Sequence, residues 1–350
     1  MKSFDQNTEI KVSVVVVTYN HEKTIARTLD SILAQERDFP MEIIIGDDAS
    51  TDATESICRE YVDKHPDLIK YIRNEKNKGV MDNYYDCLLL AKGKYIADVA
   101  GDDFWIYPRK LKEQVEILDK EDAVTLVCTD WKYFREDIGQ LQTPWHDNTY
   151  PYKNIFEEKS LTAALLNHLT PVAVHSCTAL YRKEAFLRLY EKDSYPFRNK
   201  EFIVEDLQLI VLLSTIGEFR FLDIPTLAYS VSSGSLTGTR DFQKVFDLYL
   251  GILKLTHFLA ERTGVEIDKM SDVYSRLIHF IVMQAFHSED FQRMQQIKSF
   301  VKDKRFPISF KTQIVLNLSF NSKTWGVSRK LWNFYRKRFR AQSGDEKLQG

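Results

Sequence analysis

VSVVVVTYN, residues 12–20, sets five valines in its first six positions and then breaks into a polar turn. A β-branched run without polar alternation reads as a strand buried on both faces, the kind found inside a parallel sheet. Outward from it the pattern repeats. Ile25, Leu29, Ile32 and Leu33 follow at helical spacing, and residues 42–46 (EIIIG) form a second strand candidate. Ile57 and Tyr61 mark a second helix, with Asp52 and Glu55 placed as a capping box. Strands are predicted at 69–73, 94–100 and 123–129. Helices are predicted at 81–91 and around Leu111, Val115 and Leu118. Repeated β-α-β units predict an α/β fold with a doubly wound, mostly parallel sheet flanked by helices. Ligands of such sheets lie beyond the carboxyl ends of the strands, so the post-strand loops carry the candidate site.

After residue 130 the pattern loosens. Residues 131–160, with Pro144 and Pro151, read as a long loop. A strand is expected at 175–181, helices at 183–190 and 205–215, a last strand at 226–231, and helix from 242 to about 300. With 44% hydrophobic and 28% charged residues in 350, disorder is excluded as the main state. The four cysteines form no C-x-x-C pair, which speaks against structural zinc and for buried free thiols in a reducing compartment. The first eleven residues are charged and lack the apolar core of a secretory signal, and no apolar run approaches a membrane span.

Three post-strand loops stand out. Thr18-Tyr19-Asn20-His21-Glu22 lacks the G-x-G-x-x-G of a dinucleotide fold, which argues against a nicotinamide or flavin cofactor. In the second, Gly46 to Asp52, Ser50 to Asp52 suit a turn and helix cap. Asp48, at a strand's carboxyl end, is placed to accept from the imide N–H of a uracil ring. The third, Gly101-Asp102-Asp103, sets two carboxylates side by side. Such a pair is costly without a neutralising partner. Mg²⁺ or Mn²⁺, shared with substrate phosphates, supplies one, while a solvated, exposed turn is the plain alternative. Trp105 either stacks on a sugar face or packs the loop, and His21 lies either near a nucleotide or on the surface. No two histidines share a helical i, i+4 spacing that would suggest zinc.

In order and spacing, residues 12–35 (VSVVVVTYNHEKTIARTLDSILAQ), 42–54 (EIIIGDDASTDAT) and 77–105 (NKGVMDNYYDCLLLAKGKYIADVAGDDFW) resemble the N-terminal half of family 2 glycosyltransferases of the GT-A fold. The likeness is strong to about residue 120 and weaker to about 240. PRKLKEQV (108–115) is similar to members that build bacterial surface polysaccharides. The resemblance implies inverting, metal-dependent transfer of a sugar from a nucleotide-diphosphate sugar, UDP favoured, with guanine and thymine donors left open. The acceptor would be a hydroxyl of a glycan or lipid-linked molecule, in the cytoplasm or at the inner face of its membrane.

By that resemblance Thr18, Tyr19, Glu22 and Asp48 form the nucleotide pocket. Asp102 and Asp103 bind the sugar nucleotide and, chiefly through the second carboxylate, Mn²⁺ or Mg²⁺. Asp206, in Glu205-Asp206, is the catalytic base, although an acidic helix start is its plain alternative. Residues 175–184 (HSCTALYRKE) resemble the strand before the acceptor site. Many relatives carry Tyr-Arg-x-His near the final strand. Here the residues are Tyr229-Ser-Val-Ser232, so any help of that histidine on the diphosphate is missing. Gly234 to Gly238 reads as a flexible loop closing over the donor. The implied organisation is a GT-A domain at 1–240, with a nucleotide half (1–130) and an acceptor half (131–240), then a helical region at 241–350.

Net charge is −2, but its distribution is uneven. Residues 292–340 interleave basic side chains with aromatics such as Phe310, Trp325, Trp332 and Tyr335, and Asp303 is their one acid. Leu331, Tyr335 and Phe339 recur four apart. An anionic membrane surface is the first expectation, a helix packed on the catalytic domain the second, and nucleic acid the least favoured. Two rival functions are weaker. A sugar-nucleotide pyrophosphorylase wants a Gly-rich basic loop where TYNHEKT stands. A non-catalytic protein on a decayed transferase fold would have lost an acidic pair, and both are present.

Overall fold

The computed structural model describes residues 9–143, 156, 160–167, 174–231, 241–319, 324–327 and 330. Among these, nine strands form one sheet: β1 (Val12–Thr18), β2 (Met41–Asp47), β3 (Ile69–Arg73), β4 (Tyr95–Ala100), β5 (Phe104–Trp105), β6 (Val124–Arg135), β7 (Gln140–Gln142), β8 (Leu180–Arg182) and β9 (Glu218–Val231). Their order is β3-β2-β1-β4-β8-β6-β9-β5, with β7 beside β6. The helices of this part are α1 (Ile25–Leu33), α2 (Thr54–Lys64), α3 (Val80–Leu90), α4 (Lys110–Lys120), α5 (Leu161–Asn167), α6 (Lys183–Lys192), α7 (Tyr195–Arg198) and α8 (Leu207–Leu213). Then follow α9 (Phe242–Thr263), α10 (Ser271–His287), α11 (Phe291–Lys304) and α12 (Phe310–Leu318).

The expected β-α-β units are present. β1 pairs in parallel with β2 and β4, and β2 with β3. Only β5, β7 and β8 oppose the common direction. The register places Val16 level with Ile45 and Val99, and Thr18 with Asp47. Three strands therefore end together, and their loops open at one edge. The core beneath them joins Val14, Val16, Ile43, Ile45, Ala97 and Val99 to Ile25, Leu29 and Ile32 of α1. Its burial is the main drive for the fold.

Four local expectations are corrected. Residues 131–135 are not loop: they extend β6 and pair with β9 from Trp131–Leu227 to Arg135–Val231. The alternating aromatics Trp131 and Tyr133 pack on Tyr229 across the pair, a cross-strand gain that composition alone conceals. Pro144 and Pro151 lie outside the described residues. The strand expected over 175–181 shortens to β8, because residues 176–178 coil into a 3₁₀ turn. There His175 O accepts from both the backbone N–H and the hydroxyl of Thr178. β9 begins at Glu218 rather than 226. The capping box does not form either. Ala53 takes the N-cap position of α2, Asp52 accepts from Thr54 N, and Glu55 pairs with Arg59 and Arg73.

The chain divides into two compact units, one of 1–238 with 254–266 and one of 239–253 with 267–350. All four cysteines are free and buried. Among the described residues no helix is long and apolar enough to cross a membrane.

The entry to β4 depends on Gly93, whose N–H donates to Ser13 Oγ at 2.8 Å. A Cβ there would press on the backbone of Val12 and Ser13, atoms that have no rotamer to retreat into. Gly93→Ala is expected to cost about 1–3 kcal/mol by overpacking, read as a lower denaturation midpoint with unchanged denaturant slope.

Candidate active site

The first two loops are stitched together. Asn20, in the left-handed region at φ 57°, donates its N–H to Ser50 Oγ and accepts from Thr51 N at 2.8 Å. His21 N donates to Thr54 Oγ1. Glu22 N donates to Asp52, and the Glu22 carboxylate accepts from Ala53 N at 3.1 Å. Glu22 thus serves the start of α2, a cap missed in the sequence because it comes from another loop. Thr18 is buried and faces His21 Nδ1 at 3.2 Å, while Tyr19 is exposed on the same turn.

Asp47 and Asp48 differ in role. Asp47 is wholly internal and accepts from Ser50 and from Tyr71 OH. Asp48 accepts from Lys78 N and Gly79 N at 2.8 Å and from Asn74 Nδ2 at 2.9 Å. Its carboxylate ties the Asn77-Lys78-Gly79 turn to the end of β2.

The Gly101–Asp103 turn is gripped from two sides. Gly101 O accepts from Thr24 and Thr28, and Asp103 O accepts from Thr28 at 2.6 Å. Asp102 O accepts from Arg27 Nη2 at 3.1 Å and from Ser230 Oγ at 2.6 Å. The Arg27 guanidinium sits 4.2 and 4.8 Å from the ring centres of Phe104 and Phe134 and pairs with Glu136. Gly101 has no room for a side chain, since a Cβ would meet His21 Nδ1 at 2.6 Å and Thr18 Oγ1 at 2.8 Å. The three loops therefore close on one another, and His21 lies inside that junction rather than out on the surface.

The two carboxylates of the turn are unlike. Asp102 is half-buried. Asp103 is 1% exposed, so it is not the exposed loop acid that a solvated turn would supply. Its Oδ1 accepts from Ser230 N at 2.8 Å, and its buried Oδ2 lacks a hydrogen-bond partner of ordinary geometry. Burial, then the charge of Asp102, pushes the Asp103 carboxyl well above the usual range. Trp105 packs the loop: its Nε1 donates to Cys177 O at 3.0 Å, and Lys110 Nζ lies 4.3 Å from its ring centre.

Asp206 sits at the N-cap of α8 without capping it. Burial raises its pKa, against a hydrogen bond from Ser176. Burial, then the charge of Asp206, raises that of Glu205. Tyr84, Asp98, Ser176, Tyr181 and Asp206 line a tight internal space. Asp98, in the middle of β4, accepts from Tyr84 OH at 2.6 Å and Tyr181 OH at 3.1 Å, and burial pushes it up to about 7. The turn at 176–178 links the two acidic motifs: Cys177 O holds Trp105, two residues after Asp103, and Ser176 lines the same space as Asp98 and Asp206. Motifs a hundred residues apart in sequence thus converge at the carboxyl edge of the sheet.

Sequence reasoning missed Arg27, Ser230 and Asp98. Only Asp98 carried a signal, as a lone acid within an apolar strand. Ser232 and Gly234 to Gly238 lie outside the described residues. Among the described residues, no group of three or more His, Cys, Asp or Glu is arranged to hold a metal.

A family model described as glycosyl transferase family 2 matches residues 13–189. The chain belongs to glycosyl transferase family 2. It is 41% identical over 130 residues to the putative glycosyltransferase EpsE of Bacillus subtilis, covering 37% of this chain and 46% of EpsE. It is 36% identical over 110 residues to the Escherichia coli UDP-Glc:alpha-D-GlcNAc-diphosphoundecaprenol beta-1,3-glucosyltransferase WfaP, covering 31% and 42%. These matches span less than half the length of the relatives. The S. aureus TarS 1–349 structure in complex with UDP-GlcNAc superposes with a TM-score of 0.61 at 20% identity, covering 94% of this chain and 92% of that one. The family 2 chain therefore has the GT-A-type architecture expected of it, a mostly parallel sheet flanked by helices with a helical C-terminal region.

Asp98 yields a pH test. Its folded pKa of about 7 lies above the unfolded value. Its contribution to stability is thus complete below about pH 4 and is lost as pH rises through 7. Asp98→Asn is expected to remove a slope of up to about 1.4 kcal/mol per pH unit across that window, measured by urea unfolding from pH 4 to 8. An unchanged slope would place the proton elsewhere.

Proposed function

We propose that this protein is an inverting, metal-dependent glycosyltransferase. It moves a sugar from a nucleotide-diphosphate sugar, UDP-linked by preference, to a hydroxyl of a glycan or lipid-linked acceptor in surface polysaccharide synthesis. The observation that carries the reading is geometric: the Gly101–Asp103 turn lies beside three strand ends, the following Trp105 is hydrogen-bonded to Cys177 O, and the adjacent Ser176 lines one internal space with Asp206. Residues 1–240 do the chemistry, with the nucleotide over 1–130 and the acceptor over 131–240. Residues 241–350 form the helical extension. The work is done on the cytoplasmic side, at the membrane, approached through the basic aromatic stretch 292–340.

Thr18, Tyr19, Glu22 and Asp48 frame the nucleotide. Asp48 reaches the uracil only with whatever accepting capacity its three protein donors leave. The donor set suits Mn²⁺ or Mg²⁺: two hard carboxylates, one half-buried and one with an unpartnered internal oxygen, completed by diphosphate oxygens. Both acids would hold the metal; because Asp103, the chief ligand by resemblance, is turned inward, the half-buried Asp102 would take the larger share, with Asp103 Oδ2 behind it. When bound, the metal offsets charge on the departing diphosphate. Asp206 accepts the proton of the acceptor hydroxyl as that oxygen attacks the anomeric carbon. Its raised pKa brings a carboxylate nearer the range where a general base works. A single displacement from the opposite face inverts the centre, whereas a double displacement would need a second carboxylate as nucleophile.

The decisive experiment is a hydrolysis and transfer panel of nucleotide sugars with Mn²⁺, Mg²⁺ or chelator. UDP-sugar turnover that chelator abolishes is expected, and turnover indifferent to metal sinks the reading. Asp102→Ala is expected to remove metal-dependent donor binding at little cost in stability. Asp103→Ala should also destabilise by about 1–3 kcal/mol, because Ser230 N is left without its acceptor. Asp206→Asn is expected to lower kcat by about 10²-fold or more with donor affinity unchanged. Equal turnover would move the base to Glu205.

A further inference from the structure

Helix α12 buries one face, of mixed polarity, and leaves an apolar one uncovered. Thr312, Leu316 and the following Ser319 are buried. That face is tied down by several contacts: His279 Nδ1 lies 3.0 Å from Thr312 Oγ1, Lys298 Nζ donates to Leu316 O at 3.0 Å, and Gln295 Nε2 donates to Ser319 O at 2.8 Å. Phe310, Ile314 and Leu318 recur at i, i+4 and i+8, so they form one stripe, roughly opposite the buried face on a 3.6-residue helix. They are 80, 43 and 45% exposed. A phenylalanine left that open at the start of an apolar stripe is not core packing.

The charge beside the stripe identifies its occupant. Lys311 lies on the helix next to Phe310. Lys302, Lys304 and Arg305 end α11 and lead directly into the stripe's first turn, and all four side chains are exposed. None of the four forms an ion pair among the described residues. Asp303 is the one acid between Phe291 and Leu318. A second copy of this chain would bring the same positive charge against it. Three side chains also fall well short of the roughly 1,200 Å² that a stable interface buries. An anionic lipid surface satisfies both halves: phosphate head groups meet the lysines, and the acyl boundary takes the apolar stripe.

We infer that α12 is a membrane-docking helix, with Phe310, Ile314 and Leu318 entering the interface of an anionic leaflet and Lys302, Lys304, Arg305 and Lys311 holding its head groups. This deepens the membrane reading above by assigning the entry to a described helix, whereas Leu331, Tyr335 and Phe339 lie outside the described residues. The inference does not depend on the identity of the sugar donor.

The test uses the full chain with vesicles of phosphatidylcholine containing about 30% phosphatidylglycerol, scored by co-sedimentation. The parent is expected to bind, and more weakly as salt rises. A parent that ignores these vesicles at low salt overturns the membrane reading as a whole. Phe310→Ser/Ile314→Ser/Leu318→Ser should weaken binding about tenfold or more and abolish what survives at high salt, with donor hydrolysis unchanged. Lys302→Glu/Lys304→Glu/Arg305→Glu/Lys311→Glu should lose the low-salt binding. If the parent binds but the serine variant binds equally, the assignment to α12 is overturned and the later tail is responsible. A parent dimer in light scattering that the serine variant dissolves would give the stripe to a second copy and overturn it too. Ile314→Cys carrying an environment-sensitive dye gives an independent reading, since the native thiols are buried. Its emission should shift on anionic vesicles and not on neutral ones, and no shift overturns insertion.

Discussion

The turn Gly101-Asp102-Asp103 holds its shape because all three of its carbonyls, and one carboxylate oxygen, accept hydrogen bonds from two distant elements. α1 supplies Arg27 and Thr28 with Thr24 at its N-cap, and β9 supplies both the N–H and the hydroxyl of Ser230. Without these bonds two adjacent acids at a strand end would repel each other and relax into solvent. With them, one acid is turned inward and the other is left half-exposed. The asymmetry comes from the backbone grip, since the two side chains are chemically identical.

That grip explains features with no obvious bearing on a ligand. Arg27 needs Phe104 and Phe134 to hold its plane and Glu136 to balance its charge. Such cation–π contacts contribute about 0.5–2 kcal/mol each, more when shielded from water. Phe134 and Glu136 are in place only because β6 runs on through residues 131–135 and turns. The extension of β6, which looks like fold detail, is therefore part of the acidic turn's support.

The sequence was legible where one local rule dominated. The valine run and its helical successors marked the parallel half of the sheet, because burial on both faces leaves a continuous apolar signature. The acidic residues were visible because carboxylates after buried strands are expensive. What stayed hidden was non-local. Nothing in residues 131–135 says that Trp131 and Tyr133 will meet Tyr229, nearly a hundred residues on. Nothing in TIAR says that Arg27 will reach the carbonyl of Asp102. The burial of Asp103 stayed hidden because its N–H partner, Ser230, comes from the last strand. The 3₁₀ turn at 176–178 was read as strand because the backbone bonds that define it, to His175 O and Ser176 O, leave no mark in the residue pattern; the Thr178 hydroxyl adds one more bond to His175 O.

The departure from the Tyr-Arg-x-His pattern then acquires a physical meaning. The position after Tyr229 is Ser230, buried on β9, with Arg27 Nη2 3.1 Å from its hydroxyl. The Ser230 hydroxyl and the Arg27 guanidinium, arriving from α1, share the Asp102 carbonyl, which accepts from both. The Ser230 N–H meanwhile serves Asp103. The positive charge under the acidic turn is carried by the first helix, and the turn is tied to that helix and to the last long strand at once.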